Sequence, residues 1–238
     1  MTNILLQHYK GPLSELAKIS VERMKAYAEQ CGAEYRLLTG DPFAAQLKFQ
    51  GKKAAANNKL AMLGPQFDKY DIVVMVDPDM IPVKGLTANI FTEETGIGIC
   101  PEHVVNNAWA RFLNRFPQYS TQYHGFWAGS VYRLEKDMRK KLRSNINYYE
   151  VKVIGDSIFV DEGIMHRLAM LADVEASKDN TLPQKWSYCS YLPDPATKGA
   201  FIHMRKNPPD GKGGKDRNIK IEKMDSFRRL VEEGVIDP

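Results

Sequence analysis

The chain has 238 residues, 43% hydrophobic and 26% charged, enough apolar material to close the core of one large domain or of a domain with a small appendage. No run approaches the roughly 18 consecutive apolar residues of a membrane helix, and Met1 to His8 lacks the basic-then-apolar layout of a signal peptide, so a cytoplasmic protein without a transmembrane segment is expected. The 33 cations and 29 anions leave +4, too balanced to act as a global field, and three distant cysteines (Cys31, Cys100, Cys189) argue against a disulfide framework or a zinc site and read as buried thiols.

Residues 3 to 9 are a short apolar run stopped by Lys10-Gly11-Pro12, which predicts a buried first strand. Leu13, Leu16, Ser20, Met24, Tyr27 and Cys31 then recur at three- and four-residue steps, and Gly32 stands where a left-handed helix cap is expected. A second strand is expected over Ala33 to Leu38, a loop over 40 to 52, and a helix over Lys53 to Leu63 that ends at Gly64-Pro65. Tyr70 to Val76 is the clearest element, a continuous β-rich run of the kind found in a central parallel strand covered on both faces. Strand, helix, strand, helix, strand within about eighty residues predicts a doubly wound α/β half.

Downstream, strands are expected at Gly96 to Cys100, around Phe126 to Leu134, and at Ala200 to Met204. Helices are expected at Asn107 to Phe116, Glu135 to Asn145, Glu162 to Leu171 and Met224 to Glu233. The Pro- and Gly-rich, charged segment from Asn207 reads as mobile. The corresponding organisation is one larger domain over 1–206, in two halves over 1–100 and 101–206. A basic loop and a C-terminal helix follow over 207–238.

The central strand ends in Asp77-Pro78-Asp79. Ligands of an open parallel sheet bind beyond the carboxyl ends of its strands, where these two carboxylates lie. Paired carboxylates at a turn suit a hard divalent cation, Mn²⁺ or Mg²⁺, which would also take the phosphates of a substrate; Pro78 stiffens the turn. Asp-x-Asp by itself is also an ordinary acidic turn, and the buried strand before it shifts the balance toward function.

Asn58-Lys59-Leu60 followed by Tyr70 to Asp79 resembles the helix-to-strand passage of GT-A glycosyltransferases, most closely the glycogenin-like retaining group. Trp127-Ala128-Gly129 resembles that group's Asn-Ala-Gly sugar-pocket segment, with Trp127 in place of Asn. Asp161-Glu162-Gly163 resembles its Asp-Gln-Gly segment, and Phe201-Ile202-His203 the segment with the histidine that completes the metal site. The resemblance implies a GT-A type α/β fold, with a Rossmann-like, mostly parallel central sheet flanked by helices and a small C-terminal extension, so that 1–206 would be the catalytic domain, with a nucleotide-binding half over 1–100 and a sugar and acceptor half over 101–206.

It further implies transfer of a sugar from a nucleoside diphosphate sugar, a UDP-sugar before others, to an acceptor hydroxyl on a glycan, glycoprotein or nucleic acid. Asp77, Asp79 and His203 are the implied metal ligands, and Asp161 and Glu162 the catalytic carboxylates. Gln7, Tyr9, Lys59, Asp77, Pro78, Ala128, Gly129 and Lys206 (or Arg205) are the expected donor contacts. The family's Pro-Trp after the histidine is missing here.

Two rivals remain at this level. Val153-Ile154-Gly155-Asp156 with Asp161 also suits a haloacid-dehalogenase-type phosphohydrolase, although that family carries its Asp-x-Asp on the first strand. Two basic clusters, Lys136 to Arg143 and Arg205 to Lys223, with Trp109, Trp127 and Trp186, suit a nucleic-acid-binding module; their bland reading is solvated helix face and loop.

Overall fold

The computed structural model describes residues 1–43, 48, 55–99, 114–117, 127–155, 160–174, 180–205 and 222–238. Lys206, Phe126, Cys100, Trp109, Asp156, the segment 207–221 and most of the helix expected over 107–116 lie outside the described residues.

The elements in order are β1 (Asn3–Tyr9), α1 (Glu15–Gln30), β2 (Glu34–Thr39), β3 (Ile72–Val76), β4 (Met80–Pro82), β5 (Gly98–Ile99), β6 (Ala128–Glu135), α2 (Lys136–Ser144), α3 (Tyr148–Gly155) and α4 (Val160–Leu171). Then come β7 (Thr181–Leu182), β8 (Tyr188–Cys189), the single turn α5 (Pro195–Lys198), β9 (Phe201–His203) and α6 (Lys223–Glu232). A six-stranded sheet has the order β2-β1-β3-β6-β5-β7, and a second sheet the order β4-β9-β8. In the large sheet β1 pairs parallel with both β2 and β3, while β6 runs antiparallel between β3 and β5. A Rossmann-like half is thus extended through one reversed strand.

The apolar runs explain this layering. Ile4, Leu6, Val73 and Met75 face one core with Leu60, Met62, Leu142 and Leu168, while Leu5, Val74 and Val76 face another with Met24, Tyr27 and Phe201. Covering on both faces is what a continuous β-branched run requires. Tyr27 and Trp186 each meet the Phe201 ring edge-on at 5.0 Å. Helix α1 begins where the Ser14 hydroxyl accepts the Ala17 amide and ends in a Schellman turn, with Ala33 N–H bonded to the Ala28 carbonyl and Gly32 at φ +67°.

Three expectations change. The segment before Gly64-Pro65 is a 3₁₀ helix over Asn58–Leu63, buried throughout, because the approach to a proline disfavours continued α geometry. Helix α3 was not foreseen, although Asn147, whose side chain accepts the amides of Tyr149 and Glu150, is a capping signal readable in the sequence. Strands β4, β7 and β8 are two or three residues long, too short for any periodicity to show.

The first basic cluster is mixed: Lys140 and Lys141 are exposed, Lys136 and Arg143 half-buried, and Arg139 buried. Arg139 is fully buried and donates to the carbonyls of Leu134, Phe67 and Tyr70, and Arg143 forms a two-pronged pair with Asp68. Trp127 and Trp186 are also buried, so neither offers a stacking platform for bases. We expect Arg139→Met to cost about 3–5 kcal/mol in urea denaturation, because it strands three carbonyls beneath α2. A cost below about 1 kcal/mol would show that those carbonyls find water instead.

Candidate active site

The strand-terminal aspartates sit on a turn pinned from every side. Asp77 N–H continues the ladder to the Ser130 carbonyl at 2.9 Å, and Met80 N–H closes the turn on the Asp77 carbonyl at 3.2 Å. Gln7 Nε2 donates to the Asp77 carbonyl at 3.0 Å and to Ser20 Oγ at 2.9 Å, while Ser20 Oγ donates to the Met80 carbonyl at 2.7 Å. Gln7 is fully buried and also accepts the Tyr35 hydroxyl, so it supports the turn from behind rather than facing the cavity.

The short pairing of β4 with β9 sets Met80 opposite His203, and Met204 N–H bonds to the Asp79 carbonyl at 3.0 Å. Together these bonds carry the imidazole to the aspartates. One ligand atom from each of Asp77, Asp79 and His203 lies within 4.8 Å of the others. His203 Nε2 is 3.5 Å from Asp79 Oδ1, and its Nδ1 is 3.4 Å from Ser187 Oγ, which in turn meets Ser130 Oγ at 2.7 Å. A second partner that orients the ring is characteristic of a ligating histidine.

Lys59 lies at the centre of the site. Its ammonium is 2.9 Å from Asp77 Oδ1, 3.0 Å from Asp161 Oδ2 and 2.7 Å from the Gly129 carbonyl. Burial works against its charge, but Asp161 and then Asp77 outweigh burial and keep it protonated. Asp161 is only 2% exposed; burial, reinforced by Glu162 and Asp77 and opposed by Lys59, pushes its carboxyl up to about 7. Glu162 Oε1 accepts the Gly129 N–H at 3.1 Å.

Gly129 is required by this crowding, since a Cβ there would stand 2.3 Å from Asp161 Oδ2 and 3.1 Å from Lys59 Nζ. Asp79 is shielded from water, which by itself would raise its carboxyl, yet His203 and then Lys223 hold it well below the usual carboxylate range. Lys223 Nζ is in direct contact with Asp79 Oδ2.

Lys59, Asp77, Asp79 and Lys223 open onto a cavity of about 450 Å³ that His8, Tyr9, Lys10 and Pro78 also wall. The volume falls within the usual range for a small-molecule site. His8 Nε2–H donates to the Gly40 carbonyl, 2.8 Å away, and burial holds its pKa below the ordinary value. The structure thus brings together Lys59, Asp77, Asp79, Gly129, Asp161, Glu162 and His203. Tyr9 and Pro78 are on the cavity wall, and Ala128 begins β6 beside Gly129.

Lys223 entered the sequence reading only as the end of the second basic cluster, and His8 was not singled out. His8 follows the strand-end rule that located Asp77. Lys223 has no local signal, standing 144 positions from Asp79.

The donor set fits a divalent cation: two carboxylates and one imidazole, with Asp161 and Glu162 adding negative charge that Lys59 and Lys223 only partly balance.

No protein-family model matches the sequence, and no curated protein matches it. Solved structures do. The chain is similar to a glycosyltransferase described as involved in glycosylation of the major capsid of PBCV-1, with TM-score 0.58 and 10% identity over 87% of this chain and 95% of that one. It is also similar to the galactosyltransferase LgtC, solved with donor and acceptor sugar analogues, with TM-score 0.52 and 10% identity over 94% of each chain. At that identity the likeness speaks for the fold, and the fold is of the GT-A type.

Proposed function

We propose that the protein is a metal-dependent glycosyltransferase that moves a sugar from a nucleoside diphosphate sugar, a UDP-sugar before others, to an acceptor hydroxyl of a glycan or glycoprotein. The observation that carries this reading is the meeting of Asp77, Asp79 and His203 beside a cavity of about 450 Å³ that Asp77 and Asp79 line, beyond the carboxyl ends of β1 and β3. The glycogenin-like arrangement of Lys59, Ala128-Gly129, Asp161 and His203 along the chain supports it.

Asp77, Asp79 and His203 would hold the ion, Mn²⁺ by the chemistry of the donor set, with Mg²⁺ as the alternative. When bound, the ion supplies positive charge to the departing diphosphate. The chain's own residues do the rest. Lys59 fixes Asp77, Asp161 and the Gly129 carbonyl relative to one another, and so sets the geometry of the reacting pocket before any donor arrives. Tyr9, Pro78 and His8 form the wall for the nucleoside part. Asp161 and Glu162 are packed on Gly129 and would stand beside the transferred sugar, where either carboxylate could hold or accept a proton, Asp161 with a pKa close to neutrality. Arg205 or Lys206 would assist at the phosphates.

The test is a thermal-shift series with UDP-, GDP- and dTDP-sugars, each with and without Mn²⁺. A donor at a hundred times its Kd stabilises by about 2.7 kcal/mol, or about 5–10 °C for a chain of this size. One nucleotide class is expected to give that shift only with Mn²⁺. No shift with any donor, together with phosphate release from an aryl phosphate, would overturn the reading in favour of a phosphohydrolase.

A further inference from the structure

We propose that Lys223 is a built-in cation of the Asp77–Asp79–His203 site, and that the Lys223 ammonium and a divalent ion are alternative partners of the Asp79 carboxylate. The inference rests on the metal reading above.

Lys223 is the first residue of α6 and its Nζ pairs with Asp79 Oδ2, while the other oxygen of the same carboxylate faces His203 Nε2. The pairing is held by the backbone beneath it. Phe227 and Leu230 of α6 are buried with Ile81 of β4 and with Ile202 and Met204 of β9 and its exit, so the helix is packed onto the strands that carry Asp79 and His203. Arg229 donates to the Ser190 carbonyl at 2.6 Å, and Lys84 N–H bonds to the Val235 carbonyl at 2.9 Å, which fixes the far end of the helix.

Nothing within α6 calls for a lysine there. A cation at a helix N-terminus opposes the helix dipole, and the first turn already carries Asp225. The contact that accounts for this ammonium is Asp79.

Asp79 has an oxygen engaged by an ammonium in the one place where a ligating carboxylate must receive a doubly charged ion. Like charges on the same carboxylate repel, and the shielded position of Asp79 weakens solvent screening of that repulsion. Entry of the ion therefore requires Lys223 to let go. Its side chain is one-third exposed and lines the cavity, so it can swing on its four-carbon stem without unfolding the helix. The metal-free protein keeps Asp79 neutralised, and metal affinity is set lower than the ligand set alone would give.

The test is Mn²⁺ binding to the full chain, followed by the loss of the free-ion electron paramagnetic resonance signal, for the wild type, Lys223→Met, Lys223→Gln and Asp79→Asn. Both Lys223 variants are expected to bind Mn²⁺ about tenfold more tightly than the wild type, the scale of one removed competing charge. Asp79→Asn is expected to lose binding. If Asp79→Asn loses binding while both Lys223 variants bind no more tightly than the wild type, the competition is refuted and the metal site stands. If Asp79→Asn binds Mn²⁺ as the wild type does, the metal site itself falls, and the inference with it.

Discussion

Asp79→Ala is expected to lower metal-dependent donor turnover by about 10³-fold while leaving the melting temperature close to that of the wild type. The carboxylate is one of three groups that converge at the proposed metal site, and His203 and Lys223 hold it ionised. Loss of one such group from a preorganised electrostatic site typically costs about 10²–10³-fold in rate, and here it also weakens the ion's hold. The fold should tolerate the change. The turn is held by backbone bonds from Met80 and Met204 and by Gln7 and Ser20, none of which uses the Asp79 side chain, and Lys223 can turn to solvent. Steady-state transfer at saturating Mn²⁺, paired with a circular-dichroism melt, measures both effects. Wild-type turnover in the variant would remove the assigned role.

Lys59→Met should have the larger effect on stability, about 3–5 kcal/mol, the range seen when one partner of a buried ion pair is removed. The ammonium is held between Asp77 and Asp161 and against a carbonyl, and no other cation among the described residues is paired with either carboxylate. Asp161, already pushed up to about 7 by burial, relieves part of the strain by taking a proton in the variant. For that reason the double variant Lys59→Met/Asp161→Asn should recover at least about 1 kcal/mol relative to the single one. Urea denaturation of both variants gives the numbers. A single-variant cost below about 1 kcal/mol would mean that water or a shifted side chain replaces the ammonium.

Much of the fold was legible in local patterns. The first and third strands announce themselves as apolar runs because each is covered on both faces, and α1 carries its Schellman glycine in plain view. Position at the end of the most buried strand was enough to nominate Asp77 and Asp79. Gln7 shows the limit of the same rule: it too lies toward the carboxyl end of a central strand, yet Ser20, Tyr35 and the Asp77 carbonyl saturate its amide inside the protein. The basic cluster on α2 shows another limit. Charge in a sequence does not announce burial, and Arg139 spends its guanidinium on carbonyls of the same molecule.

What the sequence determined by itself is the two-sided core of β1 and β3 and the pair of carboxylates at its edge, because a strand's burial and the turn that ends it are encoded within a few residues. The rest of the site was decided by tertiary structure. His203 meets Asp79 through the pairing of β4 with β9, Lys59 reaches Gly129 across 70 positions, and Lys223 reaches Asp79 across 144. A site assembled from charges so far apart in the chain depends on where sheets pair and helices dock, and no local pattern carries that information.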